Sequence, residues 1–186
     1  YATCAIVGYT SNTATPEGLD QDFGKVRWVC PNQTATISLG NAFTRAYSLE
    51  VHNTGTNGSI SLVADLAVTN AVVDYNATLH CGTNVIRGGT FTLESGGRLG
   101  IGSPDGITTN SAAGNIQTAS RSYGVGSCYF YEGTAPQVTG NGMPTTEVFC
   151  LSVNNSAGVT LSQSASVYGV LVLLNGPLAI GANTLS

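Results

Sequence analysis

Leu49-Glu50-Val51-His52-Asn53-Thr54 reads again as Leu151-Ser152-Val153-Asn154-Asn155-Ser156. After a three-residue difference in length the correspondence resumes: Val68, Asn76, Leu79, Gly82 and Asn84 fall on Val167, Asn175, Leu178, Gly181 and Asn183, and Ile86 falls on Leu185. Residues 49–86 and 151–185 are thus two copies of one pattern. A repeated unit that cannot bury its apolar face alone buries it on the next unit, which is the logic of solenoids and arrays.

The residues between and around these copies are strand-like. Thr34–Leu39, Ser59–Val63, Thr90–Leu93 and Val167–Leu173 alternate or run β-branched and aromatic side chains. Turn signals stand between them at Asn57-Gly58, Gly88-Gly89, Gly96-Gly97, Asp105-Gly106, Asn141-Gly142 and Asn175-Gly176. No stretch keeps the i, i+3, i+4, i+7 spacing of a helix for three turns. The expected fold is all-β: a β-solenoid or β-helix-like stack, or an elongated stack of β-sandwich form. Residues 1–33, with Pro16, Pro31, Trp28 and the charged cluster Glu17, Asp20, Asp22, Lys25 and Arg27, read as an N-terminal cap or strand layer. Residues 34–150 read as the main body. Residues 151–186 read as the start of a second copy, packing on the body or on a neighbouring subunit.

Composition narrows function by exclusion. Charged residues are 9% of the chain, against roughly 25% in ordinary soluble domains. The net charge is −4 with six Lys and Arg, so no basic surface exists to neutralise phosphates. The longest apolar run, Val167 to Leu174, is broken by Gly169 and falls short of the ~20 residues of a membrane helix. Tyr1 in place of a starting Met suggests a processed or internal start. Cysteines at 4, 30, 81, 128 and 150 suggest disulfide material from an oxidising compartment. Cys128 and Cys150 stand one plausible coil apart, about 4.8 Å if stacked on adjacent strands, within reach of a bond. Cys4 is the candidate partner of Cys30. Cys81 is left as a buried thiol or an intermolecular one. None of the spacings matches a CxxC metal site, so no metal or cofactor is expected.

Further text in the chain has a family character. Phe91-Thr-Leu-Glu-Ser-Gly-Gly-Arg-Leu-Gly-Ile101, Gly114-Asn-Ile-Gln117, Tyr129-Phe-Tyr-Glu-Gly-Thr134, Gln137-Val-Thr-Gly-Asn-Gly-Met-Pro144 and Gly176-Pro-Leu-Ala-Ile-Gly-Ala-Asn-Thr-Leu185 follow one another in order. This resembles the β-rich repeat region of large secreted and cell-surface adhesin-like proteins of the Bacteroidetes, often exported by the type IX route. The resemblance covers about residues 60–186. It implies an extracellular or outer-surface stalk with no catalytic residues. The cysteines depart from that pattern, as does the absence of a sorting domain.

Candidate sites weigh lightly. His52 and His80 have no Asp or Ser motif around them. Ser127 lacks the Gly-x-Ser-x-Gly elbow of hydrolases. Glu17, Asp20 and Asp22 lack the spacing of a calcium loop. Asp65 with Asp74, or Glu132 with Glu147, are the only carboxylate pairs worth weighing for glycoside hydrolysis, and nothing selects them. The sequons at Asn32, Asn57, Asn76 and Asn154 read as chance in an Asn- and Thr-rich chain. Tyr123, Tyr129 and Tyr131 read as core and ladder residues or, functionally, as a platform for sugar rings or a subunit contact. Val170, Leu171, Val172, Leu173 and Leu174 form an apolar strand that needs a partner, the candidate assembly strand. The expected function is non-enzymatic and structural: a stalk module or filament subunit that self-associates or continues into a longer chain. The alternatives are a carbohydrate-binding module and, behind it, a β-helix polysaccharide-degrading enzyme.

Overall fold

The computed structural model describes residues 14–186, which form fifteen strands and no helix. From β1 to β10, longer and shorter strands alternate in chain order. The longer strands β1 (Phe23–Val29), β3 (Arg45–Asn53), β5 (Leu66–Val73), β7 (Ile86–Leu93) and β9 (Ile116–Tyr123) stack in that order as a five-stranded sheet. The shorter strands β2 (Thr36–Ser38), β4 (Ser59–Ser61), β6 (Thr78–His80), β8 (Arg98–Ile101) and β10 (Cys128–Tyr131) form a second sheet, which continues through β12 (Val148–Asn154) and β14 (Val167–Asn175) to seven strands. A third sheet joins β11 (Gln137–Val138), β13 (Val159–Thr160) and β15 (Leu178–Ala179).

Every one of these strand pairs is parallel. A β-sandwich is built from antiparallel sheets, so the fold is a β-solenoid. Register gives the coil length. Ile60 sits on Leu79, Leu79 on Leu99, and Leu151 on Leu171, a step of 19 or 20 residues each. The two copies legible in the sequence are therefore two coils each. The repeat unit is a single coil of one long strand, a turn, one short strand and a second turn.

The coils are held by like residues stacked on like. Trp28, Val51, Val73, Leu93 and Tyr123 form one inward ladder of the five-stranded sheet. Ile37, Ile60, Leu79, Leu99, Tyr129 and Leu151 form the facing ladder of the seven-stranded sheet. All of these except the half-buried Tyr123 are buried. Burying such side chains contributes about 1.5–3 kcal/mol each, which is the main term holding the stack. The turn after a long strand needs a left-handed residue. Gly55, Gly96 and Gly126 supply it in their coils, and Asn76 takes the same conformation at φ 59°.

Gly88-Gly89 is a correction. The pair reads as a turn but lies inside β7. Gly88 has φ 123°, and a Cβ there would stand 1.9 Å from the Val68 carbonyl oxygen. The glycines let β7 press onto β5 where a side chain has no room.

One coil is longer. Leu99 to Tyr129 is 30 residues, ten more than the step before it. The extra length is in the connection between β8 and β9. Part of it forms a ledge: Val138 donates to the Pro104 carbonyl, and Ile107 donates to the Thr139 carbonyl. The third sheet starts on that ledge. Beyond it the long strands β12 and β14 continue the seven-stranded sheet, and the short strands move to the third. Residues 14–131 and 132–186 are thus two lobes sharing one sheet, and β10 against β12 is their joint.

Candidate functional site

The solenoid is open at its far end, where apolar side chains are exposed. Near its first coil, Trp28, Val26 and Ile37 are buried. At the far end, Leu171 and Leu173 take the next places above Leu151 and Val153. Leu151 and Val153 are 0% exposed, whereas Leu171 and Leu173 are 43% and 54% exposed. Val170, Leu174 and Ile180 add exposed apolar surface, and Val172 is partly buried. β14 and β15 are the last strands of their sheets, so one edge of each carries backbone groups without a strand beside them. Residues 184–186 already turn back over 165–167, through bonds from Ser186 to the Ala165 carbonyl and from Val167 to the Ser186 carbonyl.

Two of the three tyrosines expected to stack on sugars do not reach solvent, and Tyr123 is half-buried. Tyr129 and Tyr131 are buried, and Tyr131 donates its hydroxyl to the Thr139 carbonyl at 2.7 Å. Burial pushes all three phenols up, and Tyr123 meets Tyr129 edge-on at 6.2 Å. Strand alternation aims residues 129 and 131 at the interior, and so removes them as a platform. Among the exposed tyrosine rings that sequence reasoning missed, Tyr47, Tyr75 and Tyr168, the first is 62% exposed. It borders a cavity of about 670 Å³ on the outer face of the five-stranded sheet, with Gly24, Ala67 and Gly88 among its small residues. Arg45, paired to Asp22 at 3.2 Å, and Arg87, paired to Asp65 at 3.0 Å, stand along it. The signal was legible only as parity: Ala46 and Ser48 are inward, so Tyr47 is outward.

The histidines join carboxylates from other coils. His52 lies between Arg27 and Asp74, beside Glu50, which takes Lys25 at 2.6 Å and Arg27 at 3.2 Å. The Lys25 hydrogen bond, aided by the Lys25 and Arg27 charges, holds the Glu50 carboxyl below its ordinary value. His80 meets both Glu132 carboxylate oxygens at 2.8 Å and stacks on Phe130 at 6.3 Å. Among the described residues no three His, Cys, Asp or Glu side chains are grouped to hold a metal. Ser127 is buried and donates to the Glu94 and Gly124 carbonyls. Its hydroxyl secures a turn.

Cys4 lies outside the described residues, and with it the expected pairing to Cys30, which is buried. Cys81 is buried in the core, where desolvation pushes its thiol far up. It has no path to another chain. Cys128 and Cys150 are register partners across the joint. Both are thiols, not the disulfide expected from their spacing. No helix among the described residues is long and apolar enough to cross a membrane. No family model, curated protein or solved structure matches the chain.

Proposed function

We propose that this chain is a structural β-solenoid module of an extracellular, adhesin-like surface protein, a stalk or filament element that grows from its open end. The observation behind this is the break in the inward ladders: Leu171 and Leu173 continue two buried columns and are left bare. A further parallel coil laid on β14 would pair its free edge and cover those side chains at once. That coil is either a continuation of the same polypeptide or, between copies, the β1–β2 end of the next chain. A head-to-tail contact of this kind does not close on itself and propagates into a fibre. The scarcity of charge and the resemblance to secreted repeat regions favour the cell exterior. Sedimentation velocity and negative-stain electron microscopy test the reading. The chain should self-associate with concentration, and Leu171→Lys with Leu173→Lys should return it to a monomer. A chain that stays monomeric at every concentration, unaffected by the two lysines, refutes it.

A second reading, binding of neutral polysaccharide, is favoured by the groove at Tyr47. An exposed ring beside Asp and Arg side chains suits a sugar's apolar face and its hydroxyls. Retardation in polysaccharide gels that Tyr47→Ala abolishes would support it. Equal mobility with and without polysaccharide would end it.

A further inference from the structure

Cys128 and Cys150 sit abreast on β10 and β12, with Arg98 the register partner of Cys128 on its other side. Their neighbours Tyr129, Tyr131, Leu151 and Val153 fill the interior, and neither cysteine belongs to that core cluster. Alternation along a strand therefore turns both thiols to the outer face of the seven-stranded sheet. Parallel partners stand about 4.8 Å apart at Cα, inside the range a disulfide spans without moving backbone. The Arg98 charge acts on both thiols.

The pair also occupies a singular place in the fold. β10 is the last short strand of the first lobe and β12 the first long strand of the second. The five-stranded sheet has ended at β9, so the direct strand pairing between the lobes is β10 on β12. A covalent bond here would lock the joint and nothing else.

We propose that Cys128 and Cys150 are an oxidisable dithiol that closes the joint between the lobes. The oxidant is a small peroxide, a size suited to thiols this little exposed. One of the two thiolates attacks a peroxide oxygen, the O–O bond breaks, and the leaving hydroxide takes a proton to become water. The resulting sulfenic acid is attacked at sulfur by the other thiol, which forms the S–S bond and releases a second water. Two thiols are oxidised and one peroxide is reduced to two waters.

The test is peptide mass mapping of the full chain before and after hydrogen peroxide. A bridge between the peptides carrying Cys128 and Cys150, about 2 Da lighter than the two thiols, is expected. Thermal unfolding should rise by about 5–10 °C on oxidation, through the 22-residue loop closed. Either single serine variant should stop at a sulfenic acid on the remaining cysteine, which dimedone traps. Peroxide that leaves the wild-type pair reduced overturns the proposal. Each serine variant reports its own folding by its unfolding midpoint. The mass readout does not depend on whether the open end associates.

Discussion

Gln137 in β11 stitches the second lobe to the first, and replacing it with leucine tests how much the joint depends on buried polar bonds. Its Nε2 donates to the Ile101 and Ser103 carbonyls at 3.0 and 2.9 Å. Its Oε1 accepts from the Gly133 amide and Asn155 Nδ2, both at 2.8 Å. Leucine keeps the volume and removes all four bonds. Three of the partners keep another: Ile101 accepts from the Glu132 amide, Ser103 from the Gly106 amide, and Asn155 donates to the Ala135 carbonyl. The Gly133 amide has one proton and gives it to Gln137, so it alone is orphaned. An orphaned buried donor costs about 1–3 kcal/mol, and each weakened partner about 0.5–1. The expected loss is about 3–5 kcal/mol, or roughly 10 °C in midpoint for a domain of this size. Urea unfolding followed by circular dichroism reads it. Gln163→Leu is the control, since Gln163 makes a single part-buried bond, to the Met143 carbonyl, and should shift stability by under about 1 kcal/mol. A Gln137→Leu chain no less stable than that control would show that the four bonds do not hold the joint.

Gly88→Val should be among the most damaging single changes, at about 3 kcal/mol or more, because its Cβ would meet the Val68 carbonyl oxygen at 1.9 Å. A urea midpoint close to wild type would mean the two strands separate there at little cost. Glu50→Gln addresses pH. The folded carboxyl is held below its ordinary value of 4.5, so its stabilisation is complete above that value and is lost as pH falls through the lower folded value. The gap in melting temperature between wild type and Glu50→Gln should be full at neutral pH and shrink below about pH 4.5. A gap that stays constant into acid would mean the lysine and arginine contacts carry no proton linkage.

The solenoid was legible because its coils repeat their apolar and Asn/Gly positions. Val51, Val73 and Leu93 recur with a turn after each. The 22-residue spacing of Cys128 and Cys150 read as one coil and is one, but the repeat unit was read as two coils, because adjacent coils differ in detail while Leu49–Asn53 and Leu151–Asn155 happen to match closely. That match has a physical basis: β3 and β12 are both long strands entering the same kind of turn, although they lie in different sheets. The change of sheet was not legible. Nothing in Pro104 to Ile107 announces a ledge until the bonds to residues 138 and 139 are seen. The apolar end strand was found by its run of residues. The buried tyrosines and Tyr47 were confused because their difference lies in strand parity, which reverses with a one-residue shift of phase.

In a solenoid the interstrand bonds run along the long axis, so tension applied at the two ends loads them directly. Through most of the first lobe each layer is held by a long pairing and a short one together, as in β7 on β9 beside β8 on β10. At the joint the long pairing is absent, and the four-residue β10 carries the sheet alone beside the ledge. A pulled stalk built from this chain therefore yields first between its lobes, each of which keeps its own coils. The ten-residue insertion that widens one coil makes that layer the molecule's mechanical fuse.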